Sequence, residues 1–268
     1  SNVIGTTGNA TLTVDGGTNT VNIGGSGLDA LAITNAGAGS STVTVTSGTT
    51  LNILNTVVGN EHDGIDVNGS GGGAINVSHQ GNGQITLLGG NGIWTKATGS
   101  GDNNVNVGAG VNILVNNDDA LSAGLPIIDD TLPTAGVGNH AGVHTRAING
   151  NTTVVNAASV QGLGMNAFGI FTEGGAGNTL LSNSGTINTD GLNGFGIRAI
   201  STVGSINVVN NGAITTTGGG GHGIYANDNT GGLGSISVEN NAPINVGNIA
   251  SNVGARAIYI IKRGTGDV

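Results

Sequence analysis

The stretch Gly196-Ile197-Arg198-Ala199, then Gly204-Ser205-Ile206-Asn207-Val208, then Asn210-Asn211-Gly212-Ala213-Ile214-Thr215 contains three short segments separated by Gly and Asn, with apolar residues at alternate positions. Alternation by two is strand geometry. The preceding stretch repeats it as Gly169-Ile170-Phe171-Thr172, Asn178-Thr179-Leu180-Leu181 and Asn183-Ser184-Gly185-Thr186-Ile187-Asn188. Val143, Ile170, Ile197 and Ile224 stand 27 residues apart in unbroken series. A constant period of that size signals stacked repeats instead of one central core. Each repeat is marked by a small residue, usually Gly, then Ile or Val, then a large or charged side chain. The copies are Gly64-Ile65-Asp66, Gly92-Ile93-Trp94, Gly142-Val143-His144, Gly169-Ile170-Phe171, Gly196-Ile197-Arg198, Gly223-Ile224-Tyr225 and Ala257-Ile258-Tyr259.

Three short strands per period, joined by Gly-, Asn- and Asp-rich bends, predict an all-β chain folded as a right-handed parallel β-helix. Residues 1–268 form a single solenoid domain of roughly nine or ten coils, a rod on the order of 45 Å long at the spacing of neighbouring strands. Ile and Val stack as interior ladders. The third segment keeps Asn, then Gly or Ala, then Ile or Val at alternate positions: Asn156/Ala158/Val160, Asn183/Gly185/Ile187, Asn210/Gly212/Ile214 and Asn240/Ala242/Ile244. Asn at matching heights is expected to form a side-chain amide ladder. Weaker coils continue toward the N-terminus through Leu51-Asn52-Ile53-Leu54, Val43-Thr44-Val45-Thr46, Leu31-Ala32-Ile33 and Thr20-Val21-Asn22-Ile23. From Ile93 to Val143 is 50 residues, so a loop at about 116–138 is inserted. It carries Pro126 and Pro133, two acidic pairs (Asp118-Asp119, Asp129-Asp130) and the apolar run Leu125-Pro126-Ile127-Ile128. Solenoid insertions often bind partners, although a passive surface excursion is the plainer expectation. The chain stops soon after Ile258-Tyr259-Ile260-Ile261, and an uncapped solenoid end exposes a pairing edge, so a fragment is expected.

Composition narrows the function classes. Glycine is abundant, at 54 of 268 residues, but proline is scarce and no Gly-X-Y period occurs, which excludes collagen. Six Lys and Arg against 15 Asp and Glu provide no basic footprint for phosphates, so nucleic acid is not an expected partner. With no cysteine, disulfides and thiolate metal sites are excluded, a composition that suits export in an unfolded state. No N-terminal signal segment or run of 18 apolar residues occurs, so a leader is either already removed or was never present, and Ser1-Asn2 is readable as a tag remnant.

All six aromatic residues (Trp94, Phe168, Phe171, Phe195, Tyr225, Tyr259) fall in or beside the repeat signature. If its Ile points inward, the following residue points outward, which makes Asp66, Trp94, His144, Phe171, Arg198, Tyr225 and Tyr259 an external column. Trp94, His144, Phe171, Arg198, Tyr225 and Tyr259 are the ligand-binding candidates. The competing interpretation is a self-stabilising ladder with the Arg198 guanidinium between the rings of Phe171 and Tyr225, worth about 0.5–2 kcal/mol per contact. Two residues before each Ile lies a second column: Asp63, Asn91, Ala141, Phe168, Phe195, His222 and Arg256. Phe168 and Phe195 are expected as a corner stack. The five histidines (His62, His79, His140, His144, His222) lack tight metal spacing and are expected at the surface. A set of His140, His144 and Asp129 or Asp130 is weak, so no metal or cofactor is predicted. Gly24 to Ala32 fits the nonapeptide calcium formula, but only one copy exists. No nucleophile elbow, phosphate loop or His-Glu-x-x-His occurs, and no catalytic residue is assigned. Glu61, His62, Asp63 and Asp66 cluster in one coil, several coils from Arg198.

A low-charge, cysteine-free β-helix built from Asn183-Ser184-Gly185-Thr186-Ile187 and Asn210-Asn211-Gly212-Ala213-Ile214, alternating with His222-Gly223-Ile224-Tyr225-Ala226, resembles the passenger domains of bacterial autotransporters, over about Glu61 to Ile261. The resemblance implies a secreted or cell-surface protein of the outer membrane that binds a host-cell receptor, matrix or glycan as an adhesin or virulence factor. It also implies a C-terminal outer-membrane barrel, which is missing from this sequence. Members of this family include proteases and toxins as well as adhesins. A non-enzymatic binding role is the leading expectation. The alternatives are a polysaccharide-cleaving β-helix enzyme or tail-fibre-like protein, with acids and a cation converging within one or two coils, and a spacer rod.

Overall fold

The computed structural model describes all residues except 1, 6–7, 16–18, 24–28, 47, 54–61, 118–139, 165, 230–231 and 248–253. The Gly24–Ala32 calcium formula, Glu61 and nearly all of the insertion therefore lie wholly or partly outside the described residues. The chain is an all-β parallel solenoid. Its first sheet stacks nine strands in chain order: Asn2–Gly5, Leu31–Asn35, Ile65–Gly69, Ile93–Ala97, His140–Ala147, Ala167–Gly174, Ile197–Ser201, Ile224–Asp228 and Ile258–Ile261. The second sheet runs from Ala10–Val14 to Ile236–Asn240 and the third from Thr20–Ile23 to Ile244–Val246, with eight strands each. Among the described residues every pairing is parallel, and they comprise eight coils and the opening strand of a ninth, about 38 Å along the first sheet.

That is fewer than the nine or ten coils expected, because the early coils are longer. Leu31 pairs with Ile65, 34 positions on, and Leu31–Asn35, Ser41–Val45 and Thr50–Ile53 are the three strands of one coil. Ile93 pairs with Val143, so the strands after the insertion resume the earlier register.

The signature glycines follow from how closely the coils approach. A Cβ on Gly196 would lie 2.3 Å from Cγ2 of Ile214 in the third sheet and 2.6 Å from the Gly223 carbonyl oxygen. A side chain there would push coils apart, so the corner where the third sheet turns into the first admits only glycine at this height. Ile65, Ile93, Val143, Ile170, Ile197 and Ile224 then point inward and are fully buried in one continuous core. Burying each such side chain contributes about 1.5–3 kcal/mol.

The amide ladder is present. Asn156 Nδ2 donates to Asn183 Oδ1 at 2.7 Å, Asn183 to Asn210 at 2.8 Å and Asn210 to Asn240 at 2.7 Å. The same nitrogens of Asn183 and Asn210 donate to the carbonyls of Gly185 and Gly212, at 2.9 and 2.8 Å. Its location differs from the expectation: each Asn ends a second-sheet strand instead of opening a third-sheet one. The Asn-x-Gly-x-Ile alternation is a buried corner followed by a three-residue strand such as Ile187–Thr189.

One rung of that column is an imidazole. Val14, Val45, His79, Val107 and Asn156 occupy successive heights in the same register. His79 is 0% exposed, and neither ring nitrogen has a hydrogen-bond partner. Burial pushes its pKa down to about 4. The expectation of surface histidines is thereby corrected, since His62, His79, His140, His144 and His222 are all buried.

Candidate functional site

Parallel pairing without slippage brings the column together. Asp66 pairs with Trp94, Trp94 with His144, His144 with Phe171, Phe171 with Arg198, Arg198 with Tyr225 and Tyr225 with Tyr259. All lie on the outer face of the first sheet, opposite the Ile ladder. The other two sheets present different chemistry outward. Thr42, Thr44, Asn76, Ser78, Asn104 and Asn106 line the second, and Asn52, Thr86, Asn188 and Thr215 alternate with buried residues on the third.

The rings form a continuous stack. Trp94 and His144 centroids lie 4.1 Å apart, His144 and Phe171 stack at 4.5 Å, and Tyr225 meets Tyr259 edge-on at 5.6 Å. Arg198 bridges the gap, with its guanidinium carbon 4.8 Å from the Phe171 centroid and 5.8 Å from that of Tyr225. The corner column closes over one side. Phe168 and Phe195 stack at 5.4 Å as expected, and Arg198 also lies 5.5 Å from Phe168 and 5.7 Å from Phe195. Four rings thus surround one cation, an arrangement that gains from desolvation.

This packing corrects the expectation that the whole column faces solvent. Phe171 is 3% exposed, Tyr225 5%, His144 7% and Arg198 8%, whereas Trp94, Phe195 and Tyr259 remain partly exposed. Outward orientation and exposure part company here because each large side chain lies about 4.8 Å from the next and is covered by its neighbours. The accessible aromatic surface is at Trp94, Phe195 and Tyr259.

A further column, two residues on along the same face, was missed in the sequence: Asn68, Lys96, Arg146, Glu173, Ile200 and Asn227, in register with one another. The parity that marked Phe171 also marks Glu173. Its Oε1 lies 2.8 Å from His144 Nε2, and Oε2 lies 3.7 Å from Arg146 Nε. Burial pushes the Glu173 carboxyl up, but the hydrogen bond with His144 and the charges of His144, Arg146 and Arg198 outweigh it and hold the group below the usual glutamate value. An acid, an imidazole and cations do converge within a few coils. Glu173 is nevertheless an ionised, doubly engaged carboxylate, a poor general acid.

The N-terminal part of the corner column is a polar clamp. Asp63 N–H donates to Asp29 Oδ1 at 2.8 Å, Asn91 N–H to Asp63 Oδ1 at 2.6 Å and Ala141 N–H to Asn91 Oδ1 at 3.0 Å. Burial raises the Asp63 pKa well above the ordinary value, and the negative charges of Asp66 and Asp29 add to this against the Asn91 hydrogen bonds. Burial and Asp29 push Asp66 up to about 7 against the opposing effects of Asn68 and Lys96. At the other end His222 Nδ1 accepts from Arg256 N–H at 3.0 Å, and burial together with Arg256 pushes the imidazole down to about 4. His140 Nδ1 accepts from Gly90 N–H at 2.8 Å, whereas His144 is held by Glu173, so the two do not form a pair. Among the described residues no three His, Cys, Asp or Glu side chains gather as a metal site. No family model matches this chain, and neither does any curated protein or solved structure.

Proposed function

We propose that the chain is the shaft of a secreted or surface-exposed, autotransporter-type passenger that acts by binding, without catalysis, and that the outer face of its first sheet is the recognition surface. The expected partner is a host-cell receptor, matrix component or glycan. The observation that carries this reading is chemical segregation. The other two sheets present mainly Thr, Asn and Ser outward, while the first sheet and its corner gather every aromatic ring together with Lys96, Arg146, Arg198 and Arg256. Part-exposed Trp94, Phe195 and Tyr259 offer rings to a partner without unpacking the stack.

The test separates the exposed edge from the buried stack. Trp94→Ser and Tyr259→Ser together should abolish capture on an immobilised matrix and glycan panel while thermal unfolding stays close to wild type. Full capture by the double variant would overturn the assignment of the face. The burial of Phe171, Arg198 and Tyr225 favours a second reading, in which the stack only stiffens a spacer rod. A spacer predicts that removing whole coils alters reach and leaves capture unchanged.

A further inference from the structure

The first-sheet face carries a charge arrangement that the ring stack does not need. Lys96 pairs in register with Arg146 on the adjacent strand, so two of the six cations in a chain of net charge -9 stand side by side. Like charges directly opposite on neighbouring strands are destabilising. Among the described residues no carboxylate lies within ion-pair distance of Lys96, and Arg146 reaches Glu173 only at 3.7 Å with a side chain 30% exposed. Glu173 is already committed to His144 at 2.8 Å. Trp94, two residues before Lys96 on the same face, is part-exposed and tilted against His144.

Resting on the binding reading above, we infer that this patch takes an acidic glycan: a sugar ring lies against the exposed part of the Trp94 indole, and its carboxylate is held between Lys96 and Arg146. An indole provides a flat apolar face for the C–H side of a pyranose, and a guanidinium engages a carboxylate through two parallel hydrogen bonds. The anion relieves the repulsion between the two cations, which Asp66 near Lys96 and the 3.7 Å contact of Arg146 with Glu173 offset only in part. Neutral saccharides lack that contribution, so charge sets the specificity and Trp94 the general affinity for sugar.

The probes are short oligogalacturonates, the same oligomers with every carboxyl methyl-esterified, and a heparin oligosaccharide, each titrated calorimetrically against wild-type protein, Lys96→Glu, Arg146→Gln and Trp94→Ala. Circular dichroism melts confirm that each variant is folded. The free acid is expected to bind at least ~10-fold more tightly than the ester, a difference that shrinks as salt rises. Lys96→Glu and Arg146→Gln should each lower free-acid affinity by about 10-fold and leave the ester unchanged, whereas Trp94→Ala weakens both. Preference for heparin over galacturonate would overturn the carboxylate assignment in favour of sulfate. Equal binding of acid and ester, or unchanged affinity in Lys96→Glu, would overturn the charge-specific site. Binding of neither oligomer overturns it too. The wider binding reading falls only if Trp94→Ser and Tyr259→Ser leave panel capture intact.

Discussion

Replacing His79 by valine should convert a pH-dependent flaw in the core into an ordinary rung. The imidazole lies between Val45 and Val107 in the second-sheet corner column, fully buried, with both nitrogens unpartnered. It fits because residue 83 is glycine, whose absent Cβ would lie 2.2 Å from His79 Cε1. Burial alone pushes its pKa from 6.5 to about 4. The unfolded chain takes up a proton as pH falls through 6.5, whereas the folded chain resists until about 4. The stability linked to this group is fully present above the unfolded value, is lost as pH falls between the two values and does not change below the lower one. The depression is worth about 3 kcal/mol at about 1.4 kcal/mol per pH unit. Urea unfolding of wild type and His79→Val across that range tests it. Asp63, Asp66 and His222 also have shifted pKa values, but they are common to both proteins and cancel in the difference. The stability gap should widen by about 3 kcal/mol toward acid. A gap that stays constant with pH would refute the reasoning.

Three other substitutions probe the coil geometry. Asn183→Ala removes the middle of the amide ladder, leaving Asn156 Nδ2 only its bond to the Ala158 carbonyl and stranding Asn210 Oδ1 and the Gly185 carbonyl; it should cost about 1–3 kcal/mol per buried group left unsatisfied, read by denaturant midpoint. Gly196→Ala places a methyl 2.3 Å from Ile214 and should destabilise by about 1–3 kcal/mol or more, whereas Gly8→Ala, with nothing within 4 Å, should be near neutral in the same assay. Phe171→Ala empties the site between His144 and Arg198 and should cost about 3–5 kcal/mol, lowering the melting temperature even though the residue points away from the Ile core.

The solenoid was legible because Gly-Ile-x recurs at the height of one coil and close steric contact keeps its first position small, Gly in most coils and Ala at Ala30 and Ala257. Parity then put Trp94, His144, Phe171, Arg198, Tyr225 and Tyr259 on one face, and the registers agree. Parity does not report whether an outward face is covered. The ring stack that buries Phe171 and Tyr225 arises between coils and depends on ring size and on the corner residues Phe168 and Phe195. The same rule applied two residues further would have exposed the Lys96, Arg146 and Glu173 column. It would also have placed His79 inward, since Ile75, Val77 and His79 share one parity. The coil count was too high because a period drawn from the regular half does not hold where coils lengthen, as between Leu31 and Ile65. The Asn ladder was assigned to the wrong side of its corner because its alternation continues through the bend, while strand pairing breaks there.

Hydroxyl-radical footprinting of the wild-type protein, with and without the matrix or glycan component it captures most strongly, tests the recognition face most directly. Protection centred on Trp94, Phe195 and Tyr259, with Leu180 and Val155 on the second sheet unchanged, is the predicted result. Protection confined to the second or third sheet, with Trp94 and Tyr259 oxidised as freely as in the unbound protein, would contradict it.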